Sequence, residues 1–345
     1  MIWQTFPMVE GILLERASEC LRDVLPGYLR LVSEGFSWSL EAEDGSRQIV
    51  SVTATGSFSP RDVRRLGVNA GRLVVAPFLS PRSRGVLESG GYSYLDLTGN
   101  ICLRVERPAV YIKLQGADRD PAPTARPPAR LHGAKARRLL RLLVDVAPPY
   151  RLTDLAAATG LNKGYVSTLL ETLEEQALID RDPRGCIREV DWPSVLRAAA
   201  DEYQLFRNNA AAFYIAPAGA AALYADLAEP AAPSAVVTGS FAASAVAPIA
   251  APAQLVLYAA DPAALRRFGR LLPAERGADV AILQPEDAAR FDDVRLVDGV
   301  AHVPLSQLVL DCLGGNGRLP EEGEAVLTWM RADVPAWRRA ELPVS

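Results

Sequence analysis

The chain has 345 residues, 49% of them hydrophobic, and a formal net charge of -4 at pH 7. This composition argues against disorder over most of the length and against a surface that coats nucleic acid everywhere. Its four cysteines form no C-x-x-C pair and it has two histidines, so we expect neither a metal site nor a cofactor. The N-terminal segment is acidic where a signal peptide would be apolar, and no run is long enough for a membrane span. These features predict a cytoplasmic protein without a membrane partner.

Two stretches divide the sequence. A segment with four prolines between residues 121 and 128 favours neither helix nor central strand, and it predicts a linker over 117–131. A softer boundary lies near 207–219. The predicted fold is a multidomain α/β protein with domains at 1–116, 132–205 and 206–345.

The first predicted domain alternates helix and strand. A helix over 8–25 is followed by two strands whose connection, Asp44-Gly45, is typical of a hairpin turn. The pattern then predicts a short helix at 59–66, a strand at 72–80, a helix that begins at Ser80-Pro81, and one strand each in 92–106 and 109–116. A sheet with helices on its faces accommodates this order.

The central domain carries two short apolar-faced helices separated by "TGLN". Thr153 is positioned to cap the first helix, Gly160 to end it in a left-handed conformation, and Asn162 to cap the second. Apolar residues then recur at helical spacing: Val166, Leu169, Leu170 and Leu173. This pattern is typical of a helix-turn-helix. A third helix over 134–146 and a strand-turn-strand wing over 177–190 complete a winged helix.

Charge in this region favours DNA as the partner. Residues 126–188 contain eleven Lys and Arg and seven Asp and Glu, a local charge of +4. The second helix is polar and basic in its first half and acidic in its second, which suits entry into a major groove by its N-terminal end. The predicted DNA-binding residues are Arg138, Thr153, Asn162, Lys163, Gly164, Tyr165, Ser167, Thr168, Arg181 and Arg184. A winged helix that serves protein contacts or structure alone is the alternative.

The third domain has a similar alternation. The pattern predicts a strand, a Gly turn and a helix over 234–246, and then a strand, a helix and a strand over 253–261, 262–272 and 278–285. Two helices follow at 303–314 and 321–333. The segment 210–233 is Ala-rich and low in complexity.

Long motifs outside the central domain resemble a known family. "LVVAPFLSPRSRGVLESGGYSYLDLTGNICLRV", "VVTGSFAASAV" and "VPLSQLVLDCLGGNGRLPEEGEAVL" are similar to segments of bacterial regulators grouped with the AbiEi-type antitoxins of type IV toxin–antitoxin systems. The resemblance covers about residues 70–345. It implies a transcriptional regulator whose protein partner is a cognate toxin or another protein.

The outer domains resemble enzymes without their catalytic residues. The first has the element order of restriction-endonuclease-like folds, but Thr53 and Thr55 stand where such a nuclease carries Glu-x-Lys. Asp96 is the remaining acid, and it more readily satisfies a turn with Thr98 and Asn100. The third opens like a nucleotidyltransferase at "VTGSF" but lacks the Asp-x-Asp pair, and Asp261 is placed to cap a helix.

The sequence therefore predicts a sequence-specific regulator of transcription, a repressor, that binds double-stranded DNA and is not an enzyme. Because neither outer domain shows a long heptad pattern, we expect a monomer or a weak homodimer. The rival hypothesis is a metal-dependent nuclease that uses the N-terminal domain, with the winged helix for targeting.

Overall fold

The computed structural model describes residues 7–67, 71–122, 131, 133–201, 203–285 and 293–343. The chain forms two compact units: Met1–Pro128 with Thr172–Ala177, and Ala129–Glu171 with Leu178–Ser345. Apart from residues 172–177, the winged helix and the C-terminal α/β region thus belong to one unit. None of the described helices has the length and apolar character needed to cross a membrane.

A seven-stranded sheet, ordered β1 to β7, forms the core of the first unit. The β3–β4 and β4–β5 pairs are parallel and the others antiparallel. The strands are β1 (Leu29–Glu34), β2 (Ser37–Ala42), β3 (Arg47–Ala54), β4 (Arg72–Ala76), β5 (Ser93–Asp96), β6 (Ile101–Val105) and β7 (Val110–Leu114). The helices are α1 (Pro7–Val24), a 3-10 helix (Pro60–Arg65) and α2 (Pro81–Ser89).

Apolar side chains cover the two faces of this sheet. Helix α1 packs on one face, where Trp38 and Leu40 are buried. On the other face Leu66 and Leu87, from the 3-10 helix region and α2, pack against Val74 and further buried side chains. The mixed α/β architecture expected of this part is confirmed.

Several turns and helix starts predicted from local sequence patterns are found in the structure. Gly45 has φ +81° in the β2–β3 turn, and the Ser80 hydroxyl accepts the Ser83 N–H at 3.1 Å at the start of α2. The single strand predicted over 92–106 is wrong, because a turn at Gly99, with φ +97°, divides it into β5 and β6. Strand β1 was not predicted.

Asp96 holds that turn together. It is fully buried and accepts hydrogen bonds from the backbone N–H groups of Leu79, Thr98 and Asn100 at 2.9–3.1 Å. The Thr98 hydroxyl and the Asn100 amide also donate to it, at 2.7 and 2.8 Å. The structural interpretation of Asp96 is therefore confirmed.

The second unit begins with the winged helix. Its elements are α3 (Ala134–Asp145), α4 (Leu152–Thr159), α5 (Lys163–Glu175), β8 (Ile179–Arg181), β9 (Ile187–Val190) and α6 (Trp192–Ala200). Strands β8 and β9 form the antiparallel wing.

A second seven-stranded sheet follows, in the order β13-β10-β14-β12-β11-β16-β15. Its strands are β10 (Ala210–Ile215), β11 (Ala235–Thr238), β12 (Leu255–Ala259), β13 (Leu272–Pro273), β14 (Val280–Gln284), β15 (Arg295–Val297) and β16 (Val300–His302). Its helices are α7 (Leu205–Asn208), α8 (Ala220–Asp226), α9 (Gly239–Ser244), α10 (Pro262–Phe268), α11 (Leu305–Leu313) and α12 (Leu319–Ala332). The Ala-rich segment contains β10 and α8, so it is ordered structure.

We predict that Asp96→Ala destabilises the β5–β6 turn by about 3 kcal/mol or more, because several buried donors lose their acceptor at once. Hydrogen exchange of the β5 and β6 amides should accelerate accordingly. Glu43→Ala, at an exposed acid of the same unit, is the control and should leave these rates unchanged. Unchanged exchange in the Asp96 variant would contradict the assigned role.

Candidate nucleic-acid interface

Helices α4 and α5 form the predicted helix-turn-helix. Gly160 ends α4 with φ +65°, a left-handed conformation that glycine adopts without strain. Leu155 on α4 and Val166, Leu169 and Leu173 on α5 are fully buried. The apolar spacing in the sequence therefore identified the packed face of α5.

Of the two helix caps predicted from the sequence, one is found in the structure and one is not. The Asn162 side-chain oxygen accepts the Gly164 N–H at 2.8 Å, so its predicted cap is confirmed. The predicted cap at Thr153 is wrong. Helix α4 begins at Leu152 with Arg151 as its N-cap residue, two positions before Thr153, and the Asp154 carboxylate accepts the Arg151 N–H at 2.9 Å. The exposed Thr153 hydroxyl donates to Asp154 at 3.1 Å.

The first turn of α5 presents polar groups to solvent. Lys163, Gly164 and Tyr165 are exposed. Partial burial raises the pKa of the Tyr165 hydroxyl above its ordinary value, which is already high enough to keep the group neutral and able to donate near pH 7. A Cβ on Gly164 would lie 3.1 Å from the Asn162 cap oxygen, so this position favours glycine.

In the next turn of α5 the polar side chains already form hydrogen bonds within the helix. Ser167 donates to Glu171 at 3.1 Å and Thr168 donates to the Gly164 carbonyl at 3.1 Å, and both are half-buried. Their hydroxyl oxygens can still accept hydrogen bonds.

Asp182 organises the tip of the wing. Its carboxylate accepts the Arg184 and Cys186 N–H groups at 2.9 and 3.0 Å and the Arg188 guanidinium at 2.9 Å. The Cys186 N–H, Arg188 and the Arg184 N–H together hold the pKa of Asp182 below its usual value. Arg184 is exposed at the tip, whereas Arg181 lies half-buried in β8.

Helix α3 withdraws two of its arginines from solvent. Arg137 and Arg141 are 3% and 9% exposed, and the Arg137 guanidinium lies 5.0 Å from the centre of the Tyr203 ring. Arg138 donates to the Thr159 carbonyl at 3.2 Å, which ties α3 to the end of α4. Arg137 and Arg141 count toward the local charge of +4, but their burial withdraws them from the surface that DNA could contact.

The cationic surface of the winged helix is therefore smaller than its charge count. Lys163 and Arg184 are exposed, as are Lys135 and Arg151, which were absent from the predicted set. Two further arginines that contribute to the count, Arg126 and Arg130, lie outside the described residues.

The C-terminal segment holds the end of α3. The Arg338 guanidinium donates to the carbonyls of Leu143 and Val146 at 2.9 and 3.1 Å. The Arg339 N–H donates to the Asp145 carbonyl at 2.8 Å, and the Ala147 N–H donates to the Arg339 carbonyl at 2.7 Å. These bonds satisfy carbonyls that a helix end leaves without partners. Nothing in the sequence pattern signalled them.

Further contacts join α6 and its exit to the same α/β region. Trp192 packs edge-on against Trp337, with ring centres 5.0 Å apart. The Arg197 guanidinium pairs with Glu324 at 2.6 Å, and the Tyr203 hydroxyl donates to the buried Asp311 at 2.8 Å. The winged helix is thus joined to the C-terminal α/β region through the end of α3 and through α6 and its exit.

Comparison with known proteins assigns the central helices. Residues 134–183 match the IclR helix-turn-helix domain. The chain contains an IclR-type helix-turn-helix DNA-binding domain. This match spans α3, α4, α5 and β8 and supports a DNA-binding transcriptional regulator. No curated protein and no solved structure matches the chain.

We predict that Arg338→Ala loosens the C-terminal segment from the end of α3, which is the first helix of the IclR-type domain. Loss of two bonds from a charged donor costs about 1.5–3 kcal/mol, so the last-turn amides of α3 should exchange roughly 10- to 100-fold faster. Arg331→Ala, at an exposed arginine of α12, is the matched control. Equal exchange in the two variants would show that Arg338 does not hold α3.

The carboxyl group of Asp145 is expected to make the stability of the folded state depend on pH. Burial raises the pKa of its carboxyl to about 6, against the opposing effects of the Ser306 hydrogen bond and of Arg141 and Arg339. The folded state therefore binds more protons than the unfolded state between pH about 4 and 6, and stability falls as the pH rises through this window.

Asp145→Asn should remove this fall and still accept the Ser306 hydroxyl. The urea midpoint, followed by tryptophan fluorescence, should exceed that of the wild type at pH 8, and the difference should shrink at pH 4. Asp226→Asn, at an exposed acid, should behave as the wild type. A gap that does not change with pH would exclude the raised pKa.

Proposed function

We propose that this protein is a sequence-specific transcriptional repressor that binds double-stranded DNA through its IclR-type domain in the cytoplasm. The observation that carries the proposal is the exposed first turn of α5, with Asn162 as its cap and Lys163 and Tyr165 beside it. An exposed helix start of this kind can enter the major groove and contact base edges.

The charges along α5 support this orientation. Its N-terminal end combines Lys163 with the positive end of the helix dipole, which favours phosphate. Glu171 and Glu175, exposed at the other end, disfavour approach of DNA there. Arg184, which Asp182 presents at the wing tip, offers a second phosphate contact. A regulator bound in this way at a promoter blocks transcription by occupancy.

The outer domains are proposed to be a restriction-endonuclease-like and a nucleotidyltransferase-like fold without catalysis. The parallel β3–β4–β5 core and the strand, Gly turn and helix at β11 and α9 support these folds. Ser240 donates to Glu322 at 2.6 Å, and Asp261 caps α10 through the Ala264 N–H at 2.9 Å. Both side chains have structural partners.

The nuclease alternative has no support. Asp96 is fully buried, and its two carboxylate oxygens accept five hydrogen bonds. A carboxylate occupied in this way has little capacity left to bind a metal ion. The antitoxin role is proposed on the resemblance of the outer motifs alone, and a nucleotidyltransferase encoded beside this gene would support it.

Lys163→Ala and Arg184→Ala should each weaken binding to specific and random duplexes alike, because phosphate contacts carry no sequence information. Each should lower the slope of log K against log salt by about 0.9. Arg276→Ala, at an exposed arginine of the C-terminal region, is the control. Wild-type slopes in both variants would refute the proposed groove contact.

Asn162→Ser separates capping from base recognition. Serine caps a helix about as well as asparagine, so folding should be unchanged. The amide donors disappear, and selection from a random duplex library should yield a different preferred sequence from that of the wild type. An identical sequence would restrict Asn162 to its capping role.

A further inference from the structure

A cavity of about 720 Å³ lies in the first unit, beside the C-terminal half of β3. The 3-10 helix Pro60–Arg65, the start of β4 and Glu10 of α1 contribute to its wall. Its volume falls within the range of pockets that hold small ligands, about 300–1,000 Å³. The DNA-binding function proposed above leaves this cavity without a role.

Three guanidinium groups line the cavity, from Arg61, Arg65 and Arg72. Arg65 pairs with Asp62 at 3.6 Å, but the same carboxylate already accepts the N–H and hydroxyl of Ser59 at 2.9 and 2.7 Å. It is therefore a shared and distant counter-ion. The carboxylates of Glu10 and Glu175 also line the cavity, so the described part of its wall carries as many acidic as basic side chains, and an anion is attracted only where the guanidinium groups are nearest.

Arg72 supplies the most specific sign of a missing partner. Its Nε–H is buried and has no hydrogen-bond acceptor among the described residues. A buried donor left in this state costs about 1–3 kcal/mol, and an anionic oxygen in the cavity would remove that cost. Guanidinium groups match phosphate oxygens in geometry as well as in charge.

The rest of the cavity wall offers aromatic and polar side chains that can contact the ring and the hydroxyl groups of a ligand. Phe36 is 51% exposed and Phe58 half-buried, and both line the cavity. Thr53 and Thr55 lie on the β3 side, with the Thr55 hydroxyl donating to the Ser57 carbonyl at 2.6 Å. The Glu10 carboxylate provides an acceptor for hydroxyl or amino groups.

We propose that this cavity binds a nucleoside monophosphate, with the phosphate on Arg61, Arg65 and Arg72 and the base against Phe36. The positions where a nuclease of this fold carries its metal-binding pair hold Thr53 and Thr55, which can bind a ligand. The first unit is then a sensor for a small phosphorylated effector, a function beyond DNA binding.

The test is isothermal titration calorimetry on the full chain, without DNA, so that its outcome is independent of the proposed repressor function. 5′-AMP should bind at least tenfold more tightly than inorganic phosphate, and adenosine more weakly than 5′-AMP. Arg72→Ala should weaken 5′-AMP binding at least tenfold. Arg61→Ala, at an exposed residue, should do so without loss of fold.

Arg72→Lys keeps the charge without the planar fork, and it should bind more weakly than the wild type. Arg47→Ala is the matched control, because Arg47 is an exposed arginine on the same sheet, paired with Glu41 at 3.2 Å outside the cavity. It should bind 5′-AMP as the wild type does.

Three results would overturn the proposal. The first is no heat from 5′-AMP or phosphate at millimolar concentration. The second is equal affinity for 5′-AMP and phosphate, which would show that the base does not contribute to binding. The third is wild-type binding by Arg61→Ala and by both folded Arg72 variants.

Discussion

The burial of helix α3 on more than one side is the constraint on which the DNA-binding unit depends. Leu139, Leu140 and Leu143 are fully buried, and even Arg137 and Arg141 are withdrawn from solvent. The helix packs against α4 and also against α6 and α11. Because α3 is shared between the core of the winged helix and that of the α/β region, the position of the helix-turn-helix depends on both.

A buried carboxylate reinforces this shared core. Asp311 accepts hydrogen bonds from Tyr203, Thr238, Tyr258 and Gln307 at 2.7–3.0 Å. All four donors are neutral groups, so they provide hydrogen bonds to the Asp311 carboxylate without introducing a buried positive charge as its partner. Tyr203 belongs to the exit from α6 and also lies against Arg137 of α3. One acid thereby links the first helix of the winged helix to the second sheet.

The sequence predicted those features that depend on neighbours along the chain. The spacing of Val166, Leu169 and Leu173, the Asn162 cap and the hairpin at Asp44 and Gly45 are all local signals, and each is found in the structure. The cap at Thr153 failed because Asp154, one residue on, offers a stronger acceptor at the N3 position.

What the sequence did not predict depends on tertiary contacts. The local sequence around an arginine on a helix does not show whether its side chain faces solvent or a buried tyrosine ring. The burial of Arg137 could therefore not be predicted from the sequence. Arg338 likewise acts on carbonyls almost 200 positions away. Strand β10 was obscured by alanine, a weak strand former whose conformation here follows from pairing with β14.

Crosslinking addresses the central claim most directly. The full chain, bound to a duplex selected from a random library, is irradiated with ultraviolet light, and the crosslinked peptides are identified by mass spectrometry. The account predicts crosslinks within residues 162–168, with Tyr165 foremost, and within the wing at 182–186. Crosslinks confined to residues 7–122 or 210–343 would contradict it.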